Sequence, residues 1–272
     1  VKGDGEASLI GDVPAATCHF VDRDPASGQT MVYQVQAVDG TGRVGQPSPL
    51  EARVPANTPP RNDLALFAFG DTSGVTLRWQ GTIEDDVTGL EILRSGSADG
   101  DFSAVHVVSD RRSTVFTDTK APKEACWYRI RLRDKGGLVS APGAAVSGAP
   151  LPTPSLFISD LKYSKGSVGW SKVMMDRNAA KKPCRLGGKT FRKALGVHAK
   201  SRVTYELKPA YRRFVSLVGI DEMQGRTGSI RAIVEIDGKT VFTSPILRGG
   251  DTPCPVDVAI PPDSRQMTLV ID

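Results

Sequence analysis

Residues 31–39 read Met-Val-Tyr-Gln-Val-Gln-Ala-Val-Asp, so that Tyr33, Val35 and Ala37 share one face of an extended chain. Alternation with a period of two predicts a half-buried strand. The same pattern recurs along the chain. Strands are predicted over 50–54, 75–80, 89–94, 105–108, 114–118 and 126–133 in the first half, with shorter extended pieces at 8–10 and 17–22. The second half predicts strands at 203–207, 214–220, 229–236, 239–244, 256–260 and 267–271. Between them lie turn residues: 40–45, 95–101, Gly136-Gly137, Gly187-Gly188 and Asp237-Gly238, the last a two-residue hairpin signal. Across 195–228 no helical period appears at all. The pattern predicts an all-β chain.

The strands fall into three groups. Residues 126–133, Cys-Trp-Tyr-Arg-Ile-Arg-Leu-Arg, parallel 31–38, with Tyr128 where Tyr33 stood. A glycine turn and a Ser-Pro or Ser-Ala-Pro close follow in both, which marks two copies of one module. This ending resembles the last two strands of a fibronectin type III domain, in which a tyrosine packs at a corner and donates to nearby backbone. The resemblance implies such a sandwich over 63–149, with Trp79 as its inward core tryptophan. Residues 1–55 hold only the C-terminal part of such a domain, so upstream sequence of the same protein, or another chain, is expected to complete it and cover its open edges. The proline-bearing segments 56–62 and 143–155 predict stiff linkers that hold domains apart. Residues 156–272 supply eight or more strands, which suits a jelly-roll β-sandwich.

Composition supports this reading. Of 272 residues, 28 are glycine and 19 proline, spread throughout, as short strands with tight turns require. No run of 18 apolar residues exists, so no helical membrane span is expected. The opening residues have no basic n-region before an apolar stretch and read as interior sequence. Residues 151–272 carry 20 Lys or Arg against 11 Asp or Glu. These charges are dispersed among acids, which argues against nucleic acid and for a solvated basic face. With four cysteines, three histidines and no paired Cys motif, a zinc cluster is not expected. Cys184 and Cys254 share a domain and could form a disulfide in an oxidising compartment. Cys18 and Cys126 stand alone and predict buried thiols or strand residues.

The last 117 residues carry a longer pattern. It runs through Ile158-Ser159-Asp160-Leu161, Gly169-Trp170, Asp176-Arg177, Gly188, Leu195-Gly196-Val197-His198-Ala199, Ser201 and Tyr205-Glu206-Leu207. It continues through Phe214, Val218-Gly219-Ile220-Asp221-Glu222, Gly228-Ser229, Val234, Asp237-Gly238-Lys239, Ser244 and Gly249-Gly250. This resembles the NPCBM family, carbohydrate-binding modules of secreted glycosidases and related multidomain proteins, close to the sugar-binding family CBM51. Ala194, and Lys208-Pro209 after Leu207, depart from the family's usual glycines. The resemblance implies sugar binding at a concave edge, with galactose-like ligands suggested by the nearness to CBM51. A sugar site needs an aromatic plane for C–H faces and directional groups for hydroxyls. Trp170, His198, Asp221, Glu222, Gln224 and Arg226 are the candidates. Each has a plainer alternative: Trp170 in the core, His198 bonded to backbone, Asp221 and Glu222 capping a turn or holding calcium.

No catalytic constellation accompanies them. A glycosidase needs two facing carboxylates, whereas Asp221 and Glu222 are adjacent and would point to opposite faces of a strand. No nucleophile elbow or phosphate loop occurs. The expected function is a non-catalytic carbohydrate-binding region of a larger secreted or cell-surface protein, a glycoside hydrolase or a relative, with fibronectin-like spacers. The alternative is a structural or protein-interaction module that binds no sugar.

Overall fold

The structure, a computed structural model, describes residues 7–17 and 19–272. It is all-β, built of antiparallel sheets. Two compact units divide it: Val1–Pro59 with Gly136–Leu138, and Pro60–Lys135 with Val139–Asp272.

In the first unit, β1 (Thr30–Val35) pairs with β2 (Ser48–Arg53), opposing Tyr33 to Leu50. The extended pieces expected at 8–10 and 17–22 are not strands among the described residues, and Cys18 lies outside them. Gly11, Pro14 and Pro25 punctuate this stretch, and no strand among the described residues pairs with it. Tyr33 does anchor the corner, but to a side chain: its hydroxyl donates to Asp22 Oδ2 at 2.8 Å. That bond, with some desolvation, raises the Tyr33 pKa. Both strands leave apolar side chains in water, Val35 at 70% and Leu50 at 64% exposure.

The second unit begins with β3 (Ala65–Asp71), β4 (Gly74–Gln80), β5 (Val87–Ser95) and β6 (Ser103–Val108). Then come β7 (Val115–Asp118), β8 (Cys126–Asp134) and β9 (Val146–Gly148). They form a three-stranded sheet, β3-β4-β7, and a four-stranded one, β6-β5-β8-β9. Alternate residues of β4, Val75, Leu77 and Trp79, meet Leu90, Ile92, Tyr128, Ile130 and Leu132 in one core. Trp79 is buried there, as its place on an alternating strand predicts. The Tyr128 hydroxyl donates to Asp118 Oδ2 at 2.9 Å, repeating the Tyr33–Asp22 bond of the first unit. Arg94 neutralises that buried carboxylate at 2.7 Å.

The remaining strands begin with β10 (Lys165–Val168), β11 (Met174–Met175), β12 (Cys184–Leu186) and β13 (Lys189–Phe191). Next are β14 (Leu195–Gly196), β15 (Ser201–Glu206), β16 (Arg213–Val218) and β17 (Ser229–Ile230). Last are β18 (Ala232–Ile236), β19 (Lys239–Thr243), β20 (Leu247–Arg248), β21 (Cys254–Ala259) and β22 (Gln266–Ile271). A five-stranded sheet, β10-β15-β22-β18-β19, faces the β16-β21 pair. Val234, Ile236 and Met267 of the large sheet pack on Val256, Val258 and Phe214 opposite. A second cluster gathers Val173, Val203 and Tyr205 with Tyr163, Leu195 and Val197. The strand expected at 229–236 breaks at Arg231, whose backbone exchanges two hydrogen bonds with Asp272.

The spacer reading of 143–155 does not hold. Val146–Gly148 joins the four-stranded sheet by pairing with Cys126–Tyr128, and Leu151 N–H donates to Asp71 O at 3.1 Å. The sandwiches on either side are in contact through other residues. The β12–β13 hairpin sits on β3: Lys189 Nζ bonds Asp71 Oδ2 and Ser73 Oγ, and Gly187 lies against the buried Phe69 ring. Arg78 donates to Gly250 O at 3.3 Å nearby.

Candidate functional site

Trp170 sits on the turn that follows β10. Gly169 N–H donates to His198 O at 3.4 Å, bringing this turn against the segment between β14 and β15. A side chain at 169 would place its Cβ 2.3 Å from Ala199 O, so glycine is what permits the approach. The next residue is thereby pushed outward. Trp170 is 59% exposed, which removes it from the core. Its ring meets that of His198 edge to face, with centroids 6.0 Å apart and planes at 68°.

His198 is exposed, and its Nδ1 lies 2.6 Å from Ala199 O. A carbonyl oxygen only accepts, so Nδ1 carries the hydrogen and Nε2 of the neutral ring is left as an acceptor. The backbone-bonded alternative and the ligand reading are thus compatible: one nitrogen orients the ring, and the other is available. Together the two side chains present an aromatic plane and a hydroxyl acceptor to solvent.

Asp221 and Glu222 are committed elsewhere. They belong to a turn, not a strand: Asp221 caps the short 3-10 helix Glu222–Gln224, accepting from Met223 N–H at 3.1 Å. Its Oδ1 also accepts from Asn178 Nδ2 at 3.0 Å, and Oδ2 from Arg185 N–H at 2.9 Å. Glu222 Oε2 accepts from Arg185 Nε at 3.1 Å and Oε1 from Gly188 N–H. Both carboxylates therefore clamp the β12–β13 hairpin. All four oxygens already face N–H donors, an arrangement that does not fit a calcium ion, which needs free carboxylate and carbonyl oxygens. Among the described residues, no group of three or more His, Cys, Asp or Glu could hold a metal ion. Gln224 and Arg226 are exposed on the same turn. No hydrogen bond or ring contact among the described residues joins this turn directly to Trp170 or His198.

Asn178 links the two groups, and no motif signalled it. It is buried, bonds Asp221, and uses its Oδ1 to accept from Ala180 N–H at 3.0 Å and Lys182 N–H at 2.9 Å. The turn it organises packs on Gly196, where a Cβ would lie 2.2 Å from Arg177 O, two residues before His198. The sign of it in the sequence is an Asn followed by two alanines and two lysines, a turn-forming Asx arrangement. Beside it, Asp176 and Asp160 share Lys193. Burial opposes ionisation of Asp176, but bonds from Lys193 and the Ala194 amide hold its pKa below the usual carboxylate range.

Cys184 and Cys254 are free thiols in this structure. Burial, with Asp221 and Asp176 nearby, pushes the Cys184 pKa up to about 11.

The sequence profile of the NPCBM/NEW2 domain matches residues 155–272. An inferred endo-alpha-N-acetylgalactosaminidase of Renibacterium salmoninarum is 33% identical over 106 residues, 36% of this chain and 7% of that protein. Exoglucanase B of Cellulomonas fimi is 27% identical over 143 residues, 49% of this chain and 12% of its own length. The chain thus spans a small part of either relative. Among solved structures, the CBM51 of Clostridium perfringens GH95 in complex with methyl-galactose is similar at 26% identity and a TM-score of 0.41, covering 43% of this chain and 86% of that one. CBM51-2 with the INT domains of Clostridium perfringens ZmpB is similar at 23% identity and a TM-score of 0.42, over 55% of this chain and 33% of that one. Residues 155–272, somewhat under half of the chain, thus match the NPCBM/NEW2 domain family.

Proposed function

We propose that Trp170 and His198 form the sugar-contacting surface of this module, and that the chain belongs to a larger secreted or surface-associated multidomain protein of the glycoside hydrolase kind. The exposed Trp170 ring, held edge-on to a histidine whose Nε2 is free, carries the reading. The indole face stacks on the C–H face of a sugar, and Nε2 accepts from a hydroxyl. Galactose-containing glycans are the first ligands to try, since a similar structure was solved with methyl-galactose. The organisation that goes with this is residues 1–55 and 63–149 as fibronectin type III-like domains and 156–272 as the binding module. Exposure of Val35 and Leu50 supports upstream sequence of the same protein as the cover for β1 and β2.

A panel of neutral glycans including galactosides and N-acetylglucosamine, applied to the 272-residue chain, tests this. Binding at micromolar to millimolar levels is expected, about −4 to −8 kcal/mol. Trp170→Ala should weaken it by about tenfold or more with the melting temperature unchanged. Undiminished binding in that variant would remove the site. A blank panel, acidic glycans included, would favour the alternative, a structural or protein-interaction module.

A further inference from the structure

Charges that read as dispersed over residues 151–272 as a whole are segregated when the module is divided. Residues 161–202, which carry Trp170 and His198, hold 12 Lys or Arg and one acid, Asp176, whereas residues 203–272 hold eight against nine. Five of the 12 are paired: Arg185 with Glu222, Lys189 with Asp71, Lys193 with Asp160 and Asp176, Lys200 with Asp272, and Arg202 with Glu235. The other seven have no carboxylate partner among the described residues. Four of these flank the aromatic pair. Lys172 follows Trp170 by two residues, and Arg177, Lys181 and Lys182 lie on the Asn178 turn that packs on Gly196, beside His198. All four are exposed; of the carboxylates that reach these segments, Asp176 is paired with Lys193 and Asp221 accepts from the Asn178 amide.

A merely solvated face would intersperse acids with its lysines, as residues 203–272 do. Here cations without carboxylate partners lie on the two chain segments that adjoin the aromatic pair. A neutral sugar draws nothing from that potential, whereas a carboxylate or sulfate ester within a Debye length of about 10 Å does. We propose that this site takes an acidic glycan, a sugar bearing a carboxylate or sulfate, with Trp170 and His198 holding the ring and Lys172, Arg177, Lys181 and Lys182 drawing the anionic group. The inference rests on the sugar-binding reading above and sharpens its ligand class. Exposed cations each add little, so the preference is modest and salt-sensitive.

The test titrates the 272-residue chain with lactose, sialylated lactose and sulfated lactose, three ligands that share a galactose and differ in charge. In low salt at least one acidic sugar should bind about three- to tenfold more tightly than lactose, and 0.5 M NaCl should remove most of the advantage. Arg177→Gln with Lys181→Gln and Lys182→Gln should abolish the preference and leave lactose binding as it was. Trp170→Ala should lose all three ligands. Equal binding of neutral and acidic sugars in low salt overturns the inference but leaves the sugar-binding reading standing. No binding of any of them, alongside a blank glycan panel, sinks both. Acidic binding that survives Trp170→Ala, and that a DNA oligonucleotide displaces, would also overturn it by showing an unspecific polyanion surface.

Discussion

Tyr205 illustrates how much one atom decides. It lies on β15 at 1% exposure, packed with Val203 and Tyr163, and its hydroxyl has no hydrogen-bond partner among the described residues. A buried hydroxyl without a partner costs about 1–3 kcal/mol. Tyr205→Phe should therefore stabilise the chain, by roughly 1 kcal/mol once packing changes are discounted. The same burial, helped by Tyr163, pushes the phenol pKa up to about 12. The folded state then holds its proton more tightly than the unfolded state, whose tyrosine ionises near pH 10. The stability this contributes is complete below about pH 10 and is lost as pH rises toward 12. Denaturation in urea at pH 8 and pH 11 should show the wild type losing more stability between them than Tyr205→Phe does. A variant less stable than wild type at pH 8 would mean that the hydroxyl is satisfied in solution. At this scale the sequence was legible wherever exposure followed from local pattern, as for Trp79 on its alternating strand. It was not legible for Asp221 and Glu222, because an acid's identity does not say which N–H groups it will face. The Asp22–Tyr33 and Asp118–Tyr128 bonds show the intermediate case. Both were open to discovery by aligning the two repeats, with Val21-Asp22 set on Thr117-Asp118.

Among the elements, the β12–β13 hairpin does most to redefine the candidate site. It is short, with only Cys184, Leu186 and Phe191 as apolar side chains, and Asp221 and Glu222 hold it from one side. Asp221→Ala removes a cap and strands the Arg185 N–H and the Asn178 amide; the expected loss is about 1–2 kcal/mol. Sugar affinity should stay within about twofold, since neither carboxylate touches Trp170 or His198. Paired urea denaturation and glycan titration would check this. Lost affinity at unchanged stability would return Asp221 to the ligand set. β4, β8, β18 and β22, which alternation predicts, form with their apolar sides in the two cores. Those missed are of another kind. Residues Ala65–Asp71 mix apolar positions without alternation and take their strand form by pairing with β4 along seven residues. Val146–Gly148 has three residues within a proline-bearing stretch, and only the edge of β8 makes it a strand. Local propensity cannot reveal a pairing that another element imposes.

On the scale of the whole molecule, that hairpin joins two sandwiches that the sequence predicts as separate. Phe69 is 2% exposed although it lies on a strand near the end of its sheet, with Gly187 and Pro253 of the following sandwich packed nearby. Lys189 adds an ion pair to Asp71, whose carboxylate is largely buried, and breaking such a pair leaves an uncompensated charge out of water. Lys189→Glu sets two carboxylates against each other at this contact, leaving the Phe69 packing and the Arg78–Gly250 hydrogen bond to hold the sandwiches together. The wild type should unfold in one calorimetric transition and tumble as one body over residues 60–272 by NMR relaxation. Lys189→Glu should split the melt and shorten the correlation times of both halves. Adding Asp71→Lys restores opposite charges in reversed order and should recover the single transition, an outcome that simple damage to either fold would not produce. If the wild type already shows two independent correlation times, the contact is too weak to couple the sandwiches. If it shows one, the Trp170 surface is held at a set orientation to the sandwich before it, and the proline-bearing stretch acts as a strand and a tether within one rigid body.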